Sequence, residues 1–399
     1  MQGKRIQYAS ITLAALACIV CLAQPTASTD RARQNAFALE QQGQFPEAEA
    51  AWRAIVTTHP ANAEAYAHIG FLEARQEHYR EAIPNYRKAL ALNPSMPGLR
   101  LNLGLSEFKS GAMRAAAATF TPLLKTEPEG SAEALRVITL IGLAHFGAGD
   151  YAEAVPFLKQ ATAADPQNLP FRLTLAQSCL WSGQYPCVLD VYREIVNLNA
   201  DSAEADMLAG EAMDEMKDKA GAAQQFRAAV KADPKMPEAH FGLGYLLWGL
   251  MQFEEAAPQF EAELAINPGH AESMTYLADC DIRLGHPDEA KPLLEKAVSI
   301  NPKIEQAHID LGILAGDANR KDDALRELKI AERLKPGDQN VHWRLARLYQ
   351  SEGRKAEAKA EFDKTRSLQK ASDESVFSKL HKAQEKGPSS ADPPPPPPQ

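Results

Sequence analysis

The sequence predicts an all-α fold made of stacked antiparallel helix hairpins. Three observations predict it. Prolines recur at one interval: Pro60, Pro94 and Pro128 are 34 residues apart, Pro166, Pro234, Pro268, Pro302 and Pro336 continue the series, and Ala200 fills the one missing slot. Small and bulky residues recur in the same phase between those prolines. Apolar residues make up 45% of the 399-residue chain but aromatics only 7%, which suits close-packed helices better than sheets. A period of 34 marks a repeat architecture and replaces the two or three domains that length alone would suggest. A net charge of −9 speaks against nucleic acid as the main partner, because phosphate binding rests on clustered cations.

The first residues read as an address. Lys4 and Arg5 precede an apolar stretch, Ile11 to Ala23, too short to span a bilayer comfortably but of signal-peptide length. Cleavage is expected after Ala23, with Ala27 as second choice, so residues 1–23 are the signal peptide and the mature chain carries −11. An uncleaved anchor is the alternative, as is lipidation at Cys18 or Cys21, although neither cysteine follows a good lipobox. The mature protein is expected to be exported, periplasmic or secreted. No later apolar run approaches the roughly 20 residues of a spanning helix, so no transmembrane span is expected in the mature chain. Only Cys179, Cys187 and Cys280 remain after cleavage, and an odd count argues against a disulfide framework.

With the proline at position 32, ten repeats fill residues 29–372: 29–62, 63–96, 97–130, 135–168, 169–202, 203–236, 237–270, 271–304, 305–338 and 339–372. Four residues are inserted between the third and fourth, around 131–134. Position 8 is small throughout, from Ala36, Gly70, Gly104 and Gly142 to Ala346. Position 20 is alanine from Ala48 to Ala358, except for Val188. Position 24 is bulky: Trp52, Tyr86, Phe120, Leu158, Tyr192, Phe226, Phe260, Leu294, Leu328 and Phe362. This pattern resembles the tetratricopeptide repeat (TPR) family over 29–372. The resemblance implies an α-α superhelix, a TPR solenoid with a right-handed twist.

The physics supports hairpins without the name. Positions 4, 7, 8 and 11 make one face of a first helix, A; positions 20, 24 and 27 do so on a second, B. The turn between them often carries glycine: Gly43, Gly111, Gly149, Gly183, Gly285 and Gly353. Pro46 and Pro186 fall in the first turn of helix B, where proline is tolerated. Pro84, Pro156, Pro258 and Pro292 fall at position 22 and are expected near the edge of that first turn, bending the helix slightly. The proline at 32 ends helix B. The tenth repeat has Lys370 in its place, and 373–386 is expected to form a separate C-terminal capping helix. Residues 387–399, with Pro393–Pro398, read as a disordered polyproline tail: a flexible end, a spacer, or a ligand for a proline-binding module.

No catalytic constellation is found. Phosphate loops, HExxH and GxSxG are absent, and the repeats leave no room for a catalytic domain, so no enzyme, cofactor or metal is expected. His59, His68 and His78 read as solvated surface. The acidic pairs Glu254-Glu255 and Asp322-Asp323 suit the N-terminal ends of B helices. Cys179 and Cys187 fall where the helices of one hairpin approach: they read as two buried small hydrophobes or as a disulfide.

In TPR proteins, positions 5, 9, 12 and 13 of helix A line a concave groove that holds a peptide. Here that stripe carries Phe37, Phe71, Phe108, Phe146 and Trp181, then Phe241, Tyr245, Trp248 and Trp343, with Tyr276 flanking it. These are the candidate peptide-binding residues; the alternative is packing against the next A helix. The lysine and asparagine that grip a chain terminus in the carboxylate-clamp version are absent, replaced by Arg33 and Phe37, then Ala67 and Phe71. Residues 201–300 hold 8 basic and 19 acidic residues, and 320–386 hold 17 basic and 12 acidic; this reads as solvated helix faces or, alternatively, as steering in which the acidic middle repeats select basic partner segments. The expected function is a non-catalytic protein-protein interaction scaffold that holds partner segments for assembly of an envelope complex. The alternatives are an accessory subunit docking onto a polysaccharide-synthesis or secretion enzyme, and self-association.

Overall fold

The computed structural model describes residues 29–199 and 201–385, with side chains to 374; the expected signal segment and the polyproline tail lie outside the described residues. The chain divides into two compact units, Met1–Ala212 and Met213–Gln399. The first holds α1 (29–41), α2 (Phe45–Thr58), α3 (Ala63–Arg75), α4 (Tyr79–Leu92), α5 (Leu99–Lys109), α6 (Met113–Phe120), α7 (Ala132–Ala148), α8 (Tyr151–Ala164), α9 (Leu169–Trp181) and α10 (Tyr185–Leu198). The unit boundary falls inside α11 (Ala203–Glu215). The second unit goes on with α12 (Lys219–Ala232), α13 (Ala239–Gly249), α14 (Phe253–Ile266), α15 (Ala271–Leu284) and α16 (Pro287–Ile300). It ends with α17 (Glu305–Asp317), α18 (Lys321–Leu334), α19 (Gln339–Ser351) and α20 (Lys355–Glu385). No strand occurs among the described residues, and the fold is all-α with successive helices packed in pairs. Odd-numbered helices are the A helices and even-numbered the B helices.

Local chemistry sets the helix ends. Several A helices open on side chains that accept a free backbone N–H: Asn62 from Ala65 at 2.9 Å, Ser131 from Ala134 at 3.1 Å, Asn168 from Phe171 at 3.1 Å. Most B helices stop two residues before a proline of the series, as α2 does at Thr58 before Pro60 and α18 at Leu334 before Pro336. The residue between is pushed out of the helical region by the ring that follows it.

The A-to-B turn has one conformation in every hairpin. Its key residue is left-handed at Gly43, Gly111, Gly149, Gly183, Gly285 and Gly353, and equally at Glu77, Lys217, Met251 and Asn319. Glycine takes this conformation freely; the other four carry a steric cost.

Packing between A and B follows the small-and-bulky phase. A Cβ on Gly104 would stand 2.4 Å from the Phe120 ring, and one on Gly244 would stand 2.9 Å from Phe260, so glycine lets the large side chain lie against the backbone. Alanines 48, 82, 116, 154, 222, 256 and 290 are wholly buried at the opposite contact.

Four expectations need correction or resolution. The 373–386 segment is not a separate capping helix: α20 runs unbroken from Lys355 to Glu385, 31 residues, because neither proline nor glycine interrupts it. Pro84, Pro156, Pro258 and Pro292 are the sixth helical residues of α4, α8, α14 and α16, past the first turn, and each helix continues through them. The inserted residues lengthen α7 at its start, to 17 residues from the Ser131 cap. Cys179 and Cys187 form a disulfide that joins α9 to α10, with Cα atoms 5.8 Å apart. Pro122, which the repeat phase gave no reason to single out, ends α6 early and tightens Thr121–Lys125 into a 3-10 turn.

Candidate functional site

The candidate residues are brought by A helices to one kind of face, and the units assemble them differently. In the first unit, Phe37 of α1 is half-buried and wedged edge-on against Trp52 (5.1 Å between ring centroids) and His68 (4.7 Å), with the Arg33 guanidinium over its face at 5.1 Å. His68 lies flat on Trp52 at 4.5 Å and pairs with Glu40, which also accepts from the Trp52 indole N–H. His68 is therefore part of the packing and not solvated surface, whereas His59 and His78 are exposed. Phe108 is half-buried against the cluster of Phe120, Val137 and Ile141. These two phenylalanines cement neighbouring hairpins.

Phe71 and Trp181 face outward. Phe71, 39% exposed, borders a concavity of about 360 Å³ whose floor is Ala67, Tyr86 and Leu99 and whose polar rim is Glu40, His68 and Asn102. Trp181 is 52% exposed, with Phe146 stacked on it at 5.8 Å and Tyr151 tilted against it at 4.8 Å.

In the second unit, α13 touches α15 and α15 touches α17, so side chains of successive A helices meet. Phe241, Tyr245, Trp248 and Tyr276 gather there. Tyr276 meets Tyr245 edge-on at 5.2 Å and Trp248 edge-on at 4.8 Å, while Tyr245 and Trp248 stack at 5.8 Å. Phe241 is half-buried against Phe260 and His270; Tyr245 is the outer member, 39% exposed. Trp343 of α19 stands apart from that group, 45% exposed, with Arg347 over its face at 5.7 Å. The sequence-chosen aromatics thus divide into packing residues (Phe37, Phe108, Phe241) and accessible ones (Phe71, Trp181, Tyr245, Trp343), with Phe146, Trp248 and Tyr276 half-buried beneath.

Polar residues missed by the sequence reading hold this face. The Trp248 indole N–H donates to Asp279 Oδ2 at 2.6 Å, fixing the ring. Asp279 and Asp310 are wholly buried, and burial, with the Asp279 charge next in importance, pushes the Asp310 carboxyl well above the usual carboxylate range. Both fall on or beside the A-helix stripe; only a search of that stripe for acids as well as aromatics would have found them.

A second polar motif recurs. His240, His308 and His342 each place Nε2 against the carbonyl of a series proline, Pro234, Pro302 and Pro336, at 3.2, 3.1 and 2.9 Å. Their Nδ1 atoms meet Gln259, Glu327 and Glu361 at 2.9, 2.8 and 2.6 Å. Arg172 does the same for Pro166 in the first unit. These three histidines share position 4, and they tie each A helix to the turn before it. Around His342, Glu332 and Glu361 come close enough to suggest a metal site. Lys329 and Lys364 already pair with both carboxylates, however, so the cluster carries its own positive charge.

No helix among the described residues is long and apolar enough to cross a membrane. No nucleophile–base pair or shared catalytic pocket is formed by the candidate residues, and what they offer is an apolar, hydrogen-bonding contact surface. A chain of helix hairpins with such a face is a helical-repeat scaffold for protein interaction. A tetratricopeptide repeat model matches residues 69–132, 114–169, 189–237, 207–271 and 309–373, and a second model of the same description matches 145–212 and 247–311. The chain belongs to the tetratricopeptide repeat family.

The Vi polysaccharide export protein VexE of Salmonella typhi is 30% identical over 118 residues, 29% of this chain. The match spans 18% of VexE, under a fifth of its length. Among solved structures, Pseudomonas aeruginosa pilF is similar at 20% identity and a TM-score of 0.47, covering 55% of this chain and 98% of that one. A tetratricopeptide repeat protein from Parabacteroides merdae is similar at 17% identity and 0.47, covering 63% and 97%. YrrB, described as having an unusual peptide-binding site, is similar at 18% and 0.37, covering 47% and 97%.

Proposed function

We propose that this protein is an exported, non-catalytic scaffold whose A-helix face binds segments of partner proteins and holds them for assembly of an envelope complex. The observation that carries the reading is the ring cluster of Tyr245, Trp248 and Tyr276, oriented by a buried acid and left open at Tyr245. Rigid, part-exposed aromatics with a polar anchor behind them are what a binding hot spot requires. The concavity beside Phe71 and the exposed Trp181 support the same use in the first unit. The Cys179–Cys187 bond supports export, since structural disulfides persist in oxidising compartments.

The test is cross-linking and capture from intact cells, comparing the wild-type chain with Tyr245→Ala/Trp181→Ala. Both rings are accessible, so circular dichroism should show an unchanged helical fold. Loss of a specific partner from the folded variant is the expected result. An unchanged partner set would contradict binding on this face.

The VexE similarity favours a second reading, an accessory subunit docked on envelope polysaccharide-export machinery. Under that reading the captured partner is a component of such machinery, and disrupting the gene for this protein lowers surface polysaccharide.

A further inference from the structure

The ring cluster of the second unit ends on two buried acids that the free protein leaves poorly satisfied. Asp279 accepts from Trp248 on one oxygen and from Arg283 Nε, at 3.4 Å, on the other. Asp310, on the next A helix, accepts from Gln306 Nε2 at 2.9 Å through Oδ1. Its Oδ2 is buried and has no hydrogen-bond partner among the described residues. Arg344 and Arg283 lie close enough to act on Asp310 electrostatically, but neither donates a hydrogen bond to its Oδ2. A buried, half-satisfied carboxylate beside a second carboxylate is an unfavourable arrangement in itself. Trp248, bonded to Asp279, packs edge-on with Tyr276, which in turn packs edge-on with Tyr245, and aromatic faces attract organic cations.

We propose that Asp310 and Asp279, beneath these three rings, form a subsite that receives one basic side chain, Lys or Arg, from the bound partner segment. The inference rests on the reading of this face as a protein-binding surface and names the chemistry of what it takes. A long basic side chain fits both halves of the site: its methylene stem runs along the rings and its charged end reaches the acids. A hard divalent cation fits worse, because it needs about six oxygen ligands and only two carboxylates converge here. Tyr245 meets Tyr276 edge-on across the top and is the most exposed ring of the group, 39% exposed, so the incoming chain enters by turning Tyr245.

The experiment uses random twelve-residue peptides displayed on phage, selected against the purified full-length chain. Enriched peptides are then measured against wild type, Asp310→Asn, Asp279→Asn, Tyr245→Ala, Trp181→Ala and Phe71→Ala. Asp310→Asn keeps the side-chain shape and the Gln306 bond while removing a buried acid that burial already penalises, so it should melt at or above the wild-type temperature. Should it fail to fold, Asp279→Asn carries the test. The expected result is a Lys or Arg at one fixed position, with affinity falling at least about tenfold when that residue becomes norleucine or when Asp310 becomes asparagine. The two changes together should cost little more than either alone. Peptides without a fixed basic position, or bound equally by wild type and both acid variants, would overturn the subsite. If such peptides are still lost with Tyr245→Ala, the binding face stands and only the cation subsite fails. If no peptide depends on Tyr245, Trp181 or Phe71, both fail.

Discussion

Met251 shows what a single residue can conceal. It is 75% exposed and sits in the left-handed turn position that glycine fills in six other hairpins. A side chain there costs roughly 1–2 kcal/mol, part of which glycine's greater unfolded-state freedom would return. Met251→Gly should therefore raise stability by about 0.5–1 kcal/mol, read as a higher urea midpoint with an unchanged slope. Asp281 illustrates a second residue-scale cost. Burial, then Glu289 of α16, hold its carboxyl up at about 6, with Glu261 adding to the shift and His286 opposing it. The folded chain thus keeps a proton that the unfolded chain, with an ordinary aspartate near 4, has already lost. Stability falls as pH rises from about 4 through about 6, and the cost is full above that window. Asp281→Asn should be more stable than wild type by about 1 kcal/mol at pH 7.5, with the gap closing at pH 4.5. A gap that does not change with pH would contradict this account.

At the scale of the element, the hairpin is the unit, and hairpins differ in what closes them. Among the described residues only α9 and α10 are joined covalently, by Cys179–Cys187 across a separation of 8 residues. Closing so short a loop restricts the unfolded chain modestly, so reduction should cost about 2 kcal/mol. The measurement is a denaturant titration with and without reductant, using Cys179→Ala/Cys187→Ala as the control that should no longer respond. Other hairpins rely on packing at Gly70, Gly104, Gly244 and Gly312 against Tyr86, Phe120, Phe260 and Leu328. These elements were readable in advance, because period, glycine and proline act through local sterics. Two were not. The length of α20 depends on the absence of a breaker across 371–385, and a phase that stops at Lys370 wrongly suggests a boundary there. The histidine clasps span about 19 residues between helices, and their partners, Gln259, Glu327 and Glu361, are unremarkable until the hairpin is folded.

At the scale of the molecule, stability in a repeat array is a sum of hairpins and their neighbour interfaces. A core deletion should therefore act locally. Leu328→Ala removes a buried side chain that packs against Gly312, a loss of about 2–5 kcal/mol. Hydrogen exchange should then show protection falling in α17, α18 and α19 while α13 and α14 keep theirs. Uniform loss across the second unit would mean that it unfolds as one block.

The sequence by itself determined the all-α class, the hairpin phase, the small-on-bulky contacts and the family, because a 34-residue repeat imposes the same local sterics ten times over. It also placed the aromatics on the A helices. Only the tertiary structure decided which of them are cement and which are open. Phe37 and Tyr245 occupy the same stripe, yet Phe37 is wedged between Trp52 and His68 of neighbouring elements while Tyr245 is the outer ring of its cluster. The buried acids Asp279 and Asp310 were decided there too, since whether a carboxylate is solvated or left half-satisfied depends on what three successive helices bring against it.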